Sequence, residues 1–418
     1  MINYAEYILR SYFMATDWNP DAQYSNLNRA SAAILDFAPP SALSISLSSC
    51  PTQSFASSCS LSILPSLTGS LAYLASSTDL PRQKPTLHSL VHNFNISALP
   101  KVPTSTHNHY LLYGQLHLPS SRLHSLYTRR LSPHSQLLVS SISHPRPPTR
   151  DEPSEMYITY QKDKGEYASE LAYSVADGMA SASSLFHFGL IDKGVESSQS
   201  PSTPHTARID EEPDDDGSGG LKGHFSLGGE IYASALEKSA GVSTGLRFQT
   251  LPDTHSPPTV LVALLSPITG YLSGTYAATV ARGLSLASRF EFNLFSYESV
   301  TTLGAEWAIH RSEEGEREQE RNDDDTYWDE NSQELKLKPN AVNSIPLSAS
   351  TAIDEKDPIQ GYVKARITTE KSVALQYAGR LKSLLISLGL VADLSNPHKP
   401  VQSIGLELQY LSPGNELE

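Results

Sequence analysis

The sequence has no apolar run long enough to cross a membrane as a helix. Such a helix needs about 18 or more predominantly apolar residues, whereas the longest candidate, TVLVALL, covers only 259–265. We therefore exclude a helical membrane protein. A membrane β-barrel stays open, because its strands alternate in polarity and need no continuous apolar run.

Cysteine and positive charge are also scarce. Cys50 and Cys59 are the only cysteines in 418 residues, too few for a disulfide scaffold and without the spacing of a metal site. The 45 acidic residues outnumber the 31 lysines and arginines, and the net charge is −14. This excess argues against a nucleic-acid partner and against a polybasic anchor on a membrane surface. The amino end has no basic stretch followed by an apolar core, so we expect no secretion signal.

What the sequence does have is alternation with a period of two. In SIGLELQYLS, at 403–412, Ile404, Leu406, Leu408 and Tyr410 share one parity, and small or polar residues hold the other. That pattern is typical of a strand with one apolar and one polar face. We find about twenty such segments, each near the 9–11 residues that a tilted membrane strand requires. The clearest lie at 42–48, 167–175, 224–234, 242–249, 283–295, 302–309, 363–368, 372–380, 382–392 and 401–411.

So many alternating strands indicate a wide, closed barrel. About twenty strands enclose a cylinder that side chains cannot fill, so the lumen is wet and the apolar parity must face lipid. Polar-parity residues such as Arg247, Glu306 and Lys364 would then face water. Only a closed barrel satisfies every strand backbone group in hydrocarbon. We predict an all-β membrane barrel, with two packed soluble sandwiches as the alternative.

The amino end departs from this pattern. Apolar residues recur at helical spacing over 5–16, and a second short helical stretch is predicted at 26–37. We therefore predict a helical segment at 1–38 ahead of the barrel. Its short amphipathic helix lies in or near the lumen, or else it caps a soluble sheet.

The predicted barrel spans 39–412 and is followed by a short tail at 413–418. Two connections, at about 191–220 and 311–357, are long, acidic and poor in large apolar side chains. Stretches of this composition do not bury enough surface to order themselves. We predict that both are flexible loops.

No group of residues points to catalysis. GVSTG around Ser243 matches a nucleophile elbow, but that motif needs a helix after the serine, and here a strand pattern continues. The pairs His88/His92 and His107/His109 have metal-like spacing without a third ligand, so lumen or loop histidines are the simpler interpretation. We expect no enzyme activity, no cofactor and no metal.

The final strand carries a motif with a sorting role in other barrels. Ser403, Gly405, Leu408 and Tyr410 fit the order polar-x-Gly-x-x-apolar-x-apolar. This resembles the β-signal of mitochondrial outer-membrane barrels, which the sorting and assembly machinery recognises. A terminal strand can pair edge-on with a strand of such a machine, and glycine permits close approach. The chain runs beyond Tyr410, whereas bacterial barrels usually stop on an aromatic residue, and this favours the mitochondrial version.

Several stretches also carry a family resemblance. NYAEYILRSYFMATDWNPDAQYSNLNRASAAILDF near the amino end, TGSLAYLASS at 68–77 and the closing IGLELQYLS are similar to the fungal mitochondrial distribution and morphology protein 10 family. The resemblance runs, with interruptions, from residue 1 to about 412. It implies 19 strands, antiparallel except where the first and last pair in parallel, in an architecture related to the voltage-dependent anion channel. One of our twenty candidates is then false, and we expect it within 87–143.

The resemblance also implies a location and partners. It implies the mitochondrial outer membrane at ER–mitochondria contact sites, where the barrel anchors the encounter structure, with its lipid-transfer proteins and ER membrane anchor. It further implies a part in the sorting and assembly machinery for outer-membrane barrel and translocase biogenesis, with small translocase subunits and membrane lipids as other partners. The alternative function is a porin-like solute channel, which strand pattern alone does not separate from a scaffold.

Two local questions stay open at this level. Gly69 and Tyr73 are candidates for contact with a partner subunit, because an aromatic side chain on the outer wall can anchor a neighbour. The alternative is an ordinary tyrosine at the lipid interface. Cys50 and Cys59 flank the first hairpin turn, and both a disulfide and two thiols fit the sequence.

Overall fold

The computed structural model describes residues 4–64, 66–79, 87–96, 108–145, 154–188, 223–250, 257–310, 326–329, 334–337, 359–381, 384–395 and 400–412. The predicted loop at 191–220 and the tail at 413–418 lie outside these residues. So does the predicted loop at 311–357, except for a small hairpin. Among the described residues, no helix is both long and apolar enough to cross a membrane.

The amino-terminal segment is helical, as predicted. Its elements are α1 (Tyr4–Ala15), two 3-10 turns (Pro20–Ala22 and Tyr24–Asn26) and α2 (Arg29–Leu35), and the separate helix α3 (Leu87–Leu90) follows later in the chain. Asn19 and Pro20 explain the break after α1. Pro20 begins the first 3-10 turn, and the Asn19 side chain caps that turn by accepting a hydrogen bond from the Asp21 N–H.

The described residues form 21 strands, and nineteen of them make one closed barrel. The strands are β1 (Leu43–Thr52), β2 (Phe55–Ser62), β3 (Thr68–Ser76), β4 (Tyr110–Leu118), β5 (Arg122–Ser132), β6 (Ser135–Ser143), β7 (Glu155–Asp163), β8 (Tyr167–Ser174), β9 (Met179–Phe188), β10 (Gly223–Ser234), β11 (Ser239–Thr250), β12 (Thr259–Ser266), β13 (Tyr271–Ala281), β14 (Leu284–Asn293), β15 (Ser299–His310), β16 (Thr326–Asp329), β17 (Glu334–Leu337), β18 (Ile359–Thr368), β19 (Ser372–Leu381), β20 (Leu384–Asp393) and β21 (Val401–Ser412). Only β16 and β17 stand apart from the barrel, as a separate hairpin.

The barrel closes through a parallel pair. From β1 to β15 and from β18 to β21 each strand pairs antiparallel with the next, and β15 pairs with β18. β1 then pairs in parallel with β21, from Leu43 opposite Leu406 to Ser49 opposite Ser412. The predicted strand number and the predicted parallel closure are both confirmed.

The alternation places apolar side chains outside and polar side chains inside. On β19, Leu375 and Tyr377 are exposed on the outer surface, whereas Gln376 between them is buried. Along β15 and β18, Trp307 is exposed while the neighbouring inward Glu306 and Lys364 are buried. A soluble barrel has the opposite arrangement. The predicted membrane barrel is therefore confirmed, and the alternative of two packed sandwiches is wrong.

Strand direction assigns the long connections to one end of the barrel. We call the end where β1 begins the N-terminal rim and the end where β21 finishes the C-terminal rim. The chain leaves the barrel at Phe188 and returns at Gly223, then leaves at His310 and returns at Ile359. Because successive strands alternate in direction, all four of these points lie at the C-terminal rim. Both acidic connections therefore start and finish at the same rim.

We expected the false strand candidate within 87–143. The described residues of this stretch form three strands and a helix. β4 begins at Tyr110 and is followed by β5 and β6, and α3 occupies Leu87–Leu90. Leu87, Leu90 and Val91 are buried, so the apolar residues ahead of β4 pack as a short helix rather than as a strand.

We expect Leu47→Lys to lower the free energy of unfolding in lipid vesicles by about 2–4 kcal/mol, because it places an ammonium group on the lipid-facing surface. Leu47 is 54% exposed on β1. Ser46→Lys is the matched control, since Ser46 lies on the inward parity of the same strand and is only partly buried. Denaturant titration of both variants gives the comparison. An equal loss from both would contradict the assigned faces.

Candidate functional site

Part of the chain itself lies inside the lumen. We define the plug as residues 4–42 together with 87–96. Ile8 and Tyr12 of α1 are almost fully buried and share one apolar cluster with Leu111 of β4 and with the buried face of α3. The helix predicted in or near the lumen is therefore inside it. Its apolar stripe packs on the wall rather than on lipid.

Two further clusters fix the middle of the plug. Tyr24 and Leu27 pack with Leu185 of β9 and Val262 of β12. Ile34 and Leu35 of α2 join Ala277 of β13 and Ala287 of β14, and Phe94 from the second plug stretch contacts both of these clusters. At these two clusters the inner wall contributes small or apolar side chains.

Cationic side chains of the wall bind the carboxyl end of α2. Lys364 Nζ donates a hydrogen bond to the Ala33 carbonyl at 2.7 Å, and Arg366 Nη1 donates to the Leu35 carbonyl at 2.9 Å. The last carbonyls of a helix have no partner within the helix and carry the negative end of its dipole. Two inward side chains of β18 therefore provide hydrogen-bond donors for the carbonyl groups at the end of α2.

Two ion pairs complete this attachment. Arg289 of β14 binds the Asp36 carboxylate with two nitrogen atoms, at 2.7 and 2.8 Å. Lys364 also pairs with Glu306 of β15 at 3.0 Å, and both of these side chains are almost fully buried. Glu306 in turn accepts a hydrogen bond from the Phe94 N–H at 3.1 Å. One wall carboxylate thus links the α2 attachment to the second plug stretch.

The serine of the apparent nucleophile elbow is part of the same attachment. Ser243 lies inside β11, and its hydroxyl is 2.9 Å from the Tyr24 hydroxyl. Two residues further along the inward face, Gly245 makes room for Leu27 of the plug. Because a strand continues on both sides, Ser243 is not on the strained turn that a nucleophile requires.

Of the histidines predicted as lumen or loop residues, His88 contacts the wall and His92 contacts α1. His88 Nδ1 lies 2.8 Å from the Tyr362 hydroxyl, and His92 Nε2 lies 2.9 Å from the Glu6 carboxylate. His107 lies outside the described residues. Among the described residues, no three His, Cys, Asp or Glu side chains are grouped as metal ligands would be.

Burial shifts the titration of two plug residues in α1. Burial raises the pKa of Tyr12 to about 12. Burial also acts to raise the pKa of Glu6, but the hydrogen bond and charge of His92 and the charge of Arg10 outweigh it, so this pKa is lowered. Because its pKa is lowered in the fold, the Glu6 carboxylate stabilises the protein at pH values above the ordinary pKa of a glutamate. This contribution is lost as the pH falls.

The sorting motif of β21 is divided between the two faces of the closing seam. Leu408 and Tyr410 point outward beside β1, opposite Ile45 and Leu47. Gly405 points inward, directly beneath the plug, where a Cβ atom would collide with the Pro40 carbonyl. Ser403 lies two residues before it on β21.

Gly405 has a structural partner that sequence reasoning missed. It pairs with Gly389 of β20, and a Cβ atom at Gly389 would also collide with Pro40. The two glycines together form the seat on which the chain crosses from the plug into β1. The alternation gives no sign of this seat, because the partner of both glycines is about 350 residues away in sequence.

The remaining sequence candidates are Tyr73, Gly69 and the two cysteines. Tyr73 and Gly69 lie on the outer wall, and the cysteines lie on opposite sides of the wall. Tyr73 is 50% exposed on β3 and stacks with Phe55 at 5.9 Å between ring centroids, and Gly69 lies on the same outward parity. Cys50 is buried on the inward side of β1, whereas Cys59 is exposed on the outward side of β2. The two cysteines do not form a disulfide, because the sheet lies between them.

We expect Gly304→Val to displace α2 and raise the ion conductance of the barrel. A Cβ atom at Gly304 would lie 2.9 Å from both Ile34 Cγ2 and Leu35 Cδ2, so larger side chains overpack this site. Gly274→Val is the matched control, because nothing lies within 4 Å of a Cβ atom there. Planar-bilayer recordings of wild type and both variants test this. Unchanged conductance in Gly304→Val would contradict the assigned packing of α2.

Comparison with known proteins matches nearly the whole chain to one family. The family model described as mitochondrial distribution and morphology protein 10 matches residues 1–412. Relatives of that name are 37% identical in Laccaria bicolor, over 98% of this chain and 99% of the relative, and 33% identical in Cryptococcus neoformans, over 99% and 100%. A third, from Mycosarcoma maydis, is 27% identical over 100% of this chain and 99% of its own length. The chain therefore belongs to the mitochondrial distribution and morphology protein 10 family.

Proposed function

We propose that this chain is a scaffold barrel of the mitochondrial outer membrane. In this role it anchors the ER–mitochondria encounter structure at contact sites, where lipids are exchanged, and takes part in the sorting and assembly machinery that builds outer-membrane barrels and the translocase. The family ties its members to mitochondrial distribution and morphology. A closed barrel with an apolar outer surface suits a lipid bilayer.

The plug packed inside the lumen is the observation that favours a scaffold over a channel. The inward cations that would line an aqueous path, Arg289, Lys364 and Arg366, are bound to the plug instead. A porin-like channel requires a large conductance from the wild-type barrel. The scaffold requires a small one that rises when α2 is displaced, so the recordings described above for Gly304→Val also separate these two functions.

We further propose that Ser403, Gly405, Leu408 and Tyr410 act as the β-signal during membrane insertion. The seat beneath Pro40 gives Gly405 a second role, so its substitution alone does not prove a signal. Gly389 shares the seat but lies outside the motif. It therefore provides a control for the packing effect.

We expect Gly405→Ala to reduce assembly into the outer membrane several-fold more than Gly389→Ala. Both substitutions overpack the Pro40 seat, but only the first alters the motif that pairs with the assembly machinery. Import of each variant into isolated fungal mitochondria, followed by carbonate extraction and native electrophoresis, measures the assembled fraction. Equal defects would show that Gly405 matters for packing alone and would refute the β-signal.

Partner contact at the outer wall near Tyr73 is the last part of this proposal. The candidate partners are subunits of the sorting and assembly machinery, small translocase subunits, and the lipid-transfer proteins and ER anchor of the encounter structure. Tyr73 stands beside the open, unsubstituted position of Gly114 on β4. An exposed aromatic ring next to a gap suits an inserting side chain of a neighbour.

We expect a photo-reactive phenylalanine analogue at position 73 to form a discrete crosslink with one of these subunits in intact mitochondria. The same analogue at position 276 is the control, because Tyr276 on β13 is equally exposed, at 50%. Mass spectrometry of the adducts identifies the partner. Identical adducts from both positions, or lipid adducts alone, would identify Tyr73 as an ordinary interface tyrosine.

A further inference from the structure

A cavity at the N-terminal rim is left open by the plug. Its volume is about 600 Å³, and the described residues that line it all belong to β1–β5 or to the turn between β4 and β5. None of these residues is part of the plug. The lining therefore belongs to the barrel wall at this rim, and no described residue of the plug is part of it.

Three basic side chains converge on this cavity. His117 near the end of β4 and His124 in β5 have ring centroids 4.6 Å apart, and Arg122 lies directly opposite His117 across the hairpin. Nε2 of each histidine and Nε of Arg122 are shielded from solvent and have no hydrogen-bond partner among the described residues. Buried nitrogen atoms without partners are uncommon and call for an explanation. A ligand with several acceptor atoms supplies one.

Hydroxyl groups line the opposite side of the cavity. Ser60 and Ser70 are joined at 2.6 Å between their oxygen atoms, and Gln115 donates to Ser70 at 2.9 Å. Tyr113 donates in turn to the Gln115 side-chain oxygen at 2.7 Å. This chain of hydrogen bonds fixes the polar groups of β2–β4 before any ligand arrives.

The charge around the cavity selects an anion. In the described part of the chain, no carboxylate forms an ion pair with Arg122, and His144 adds a further basic group close enough to interact with His124. A metal cation would be repelled by the arginine, and two histidines make an incomplete ligand set. Guanidinium and imidazole N–H groups together with hydroxyls match the several oxygen atoms of a phosphate group.

We propose that this cavity binds a phosphate group, held by Arg122, His117 and His124 against the hydroxyls of Ser60 and Ser70. The group is either the headgroup of an acidic phospholipid or a soluble phosphate. Both present the same tetrahedral dianion or monoanion to the site. The proposal stands independently of the scaffold function, because it rests on the wall of β1–β5 alone.

Calorimetric titration of the detergent-solubilised full chain tests the site, with inorganic phosphate and short-chain dihexanoyl phosphatidic acid as probes. We expect wild type to bind, and Arg122→Gln and His117→Gln each to weaken binding about tenfold or more, since each removes a charge-assisted or buried hydrogen bond. Arg129→Gln is the matched control. Arg129 lies on the same strand but is exposed on the outward parity. Circular dichroism and heat-modified electrophoretic mobility show that each variant is folded.

The two probes distinguish the sources of the phosphate. Tighter binding of phosphatidic acid that depends on Arg122 supports a lipid headgroup, and equal binding of inorganic phosphate supports a soluble phosphate. Binding that is equally strong in Arg122→Gln and Arg129→Gln, or no binding of either probe to wild type, would overturn the proposal.

Discussion

Every barrel strand has hydrogen-bonded neighbours on both sides because β21 pairs with β1, Leu43 beside Leu406 and Ser49 beside Ser412. In hydrocarbon, an open edge would leave a row of backbone N–H and C=O groups without partners, at several kcal/mol for each group. With 19 strands that alternate in direction, the first and last must run the same way. The parallel seam is thus a consequence of the odd number, and it places the start of β1 and the finish of β21 at opposite rims.

That seam also determines how the plug is held. The chain enters β1 from inside the lumen at the N-terminal rim. Just before β1 it runs along the inner face of the wall, where Gly389 and Gly405 leave space for Pro40. From there it extends back through α2, whose last carbonyls bind Lys364 and Arg366. The inner wall is therefore more than a solvated surface. Its charges serve as partners for a helix end, and its glycines as points of close approach.

Much of the barrel was predictable from alternation, because a strand between lipid and a polar lumen has to change polarity at every residue. The parity of Leu47, Tyr377 and Leu408 in the sequence predicts that their side chains point outward. The number of strands was harder to predict, since Leu87, Leu90 and Val91 are apolar residues of types that strands also contain. The structure buries all three in the plug. Helical spacing at 87–91 is the signal that separates these two interpretations.

The contacts of the site could not be predicted in the same way. Arg289 binds Asp36 across 253 positions, and Lys364 binds Ala33 across 331. Nothing in local periodicity pairs such residues, and nothing in it predicts that the Ser243 hydroxyl meets the Tyr24 hydroxyl of the plug.

The sequence by itself determined the faces of the strands, the helical character of the amino end and the family. These depend on periods of two and of about 3.6 residues, which are local properties of the chain. The tertiary structure alone decided that a plug lies inside the lumen and which glycines make close contacts with it. It also decided that Arg122 meets His117 and His124 at an open cavity. Those features depend on which residues closure brings together across the barrel.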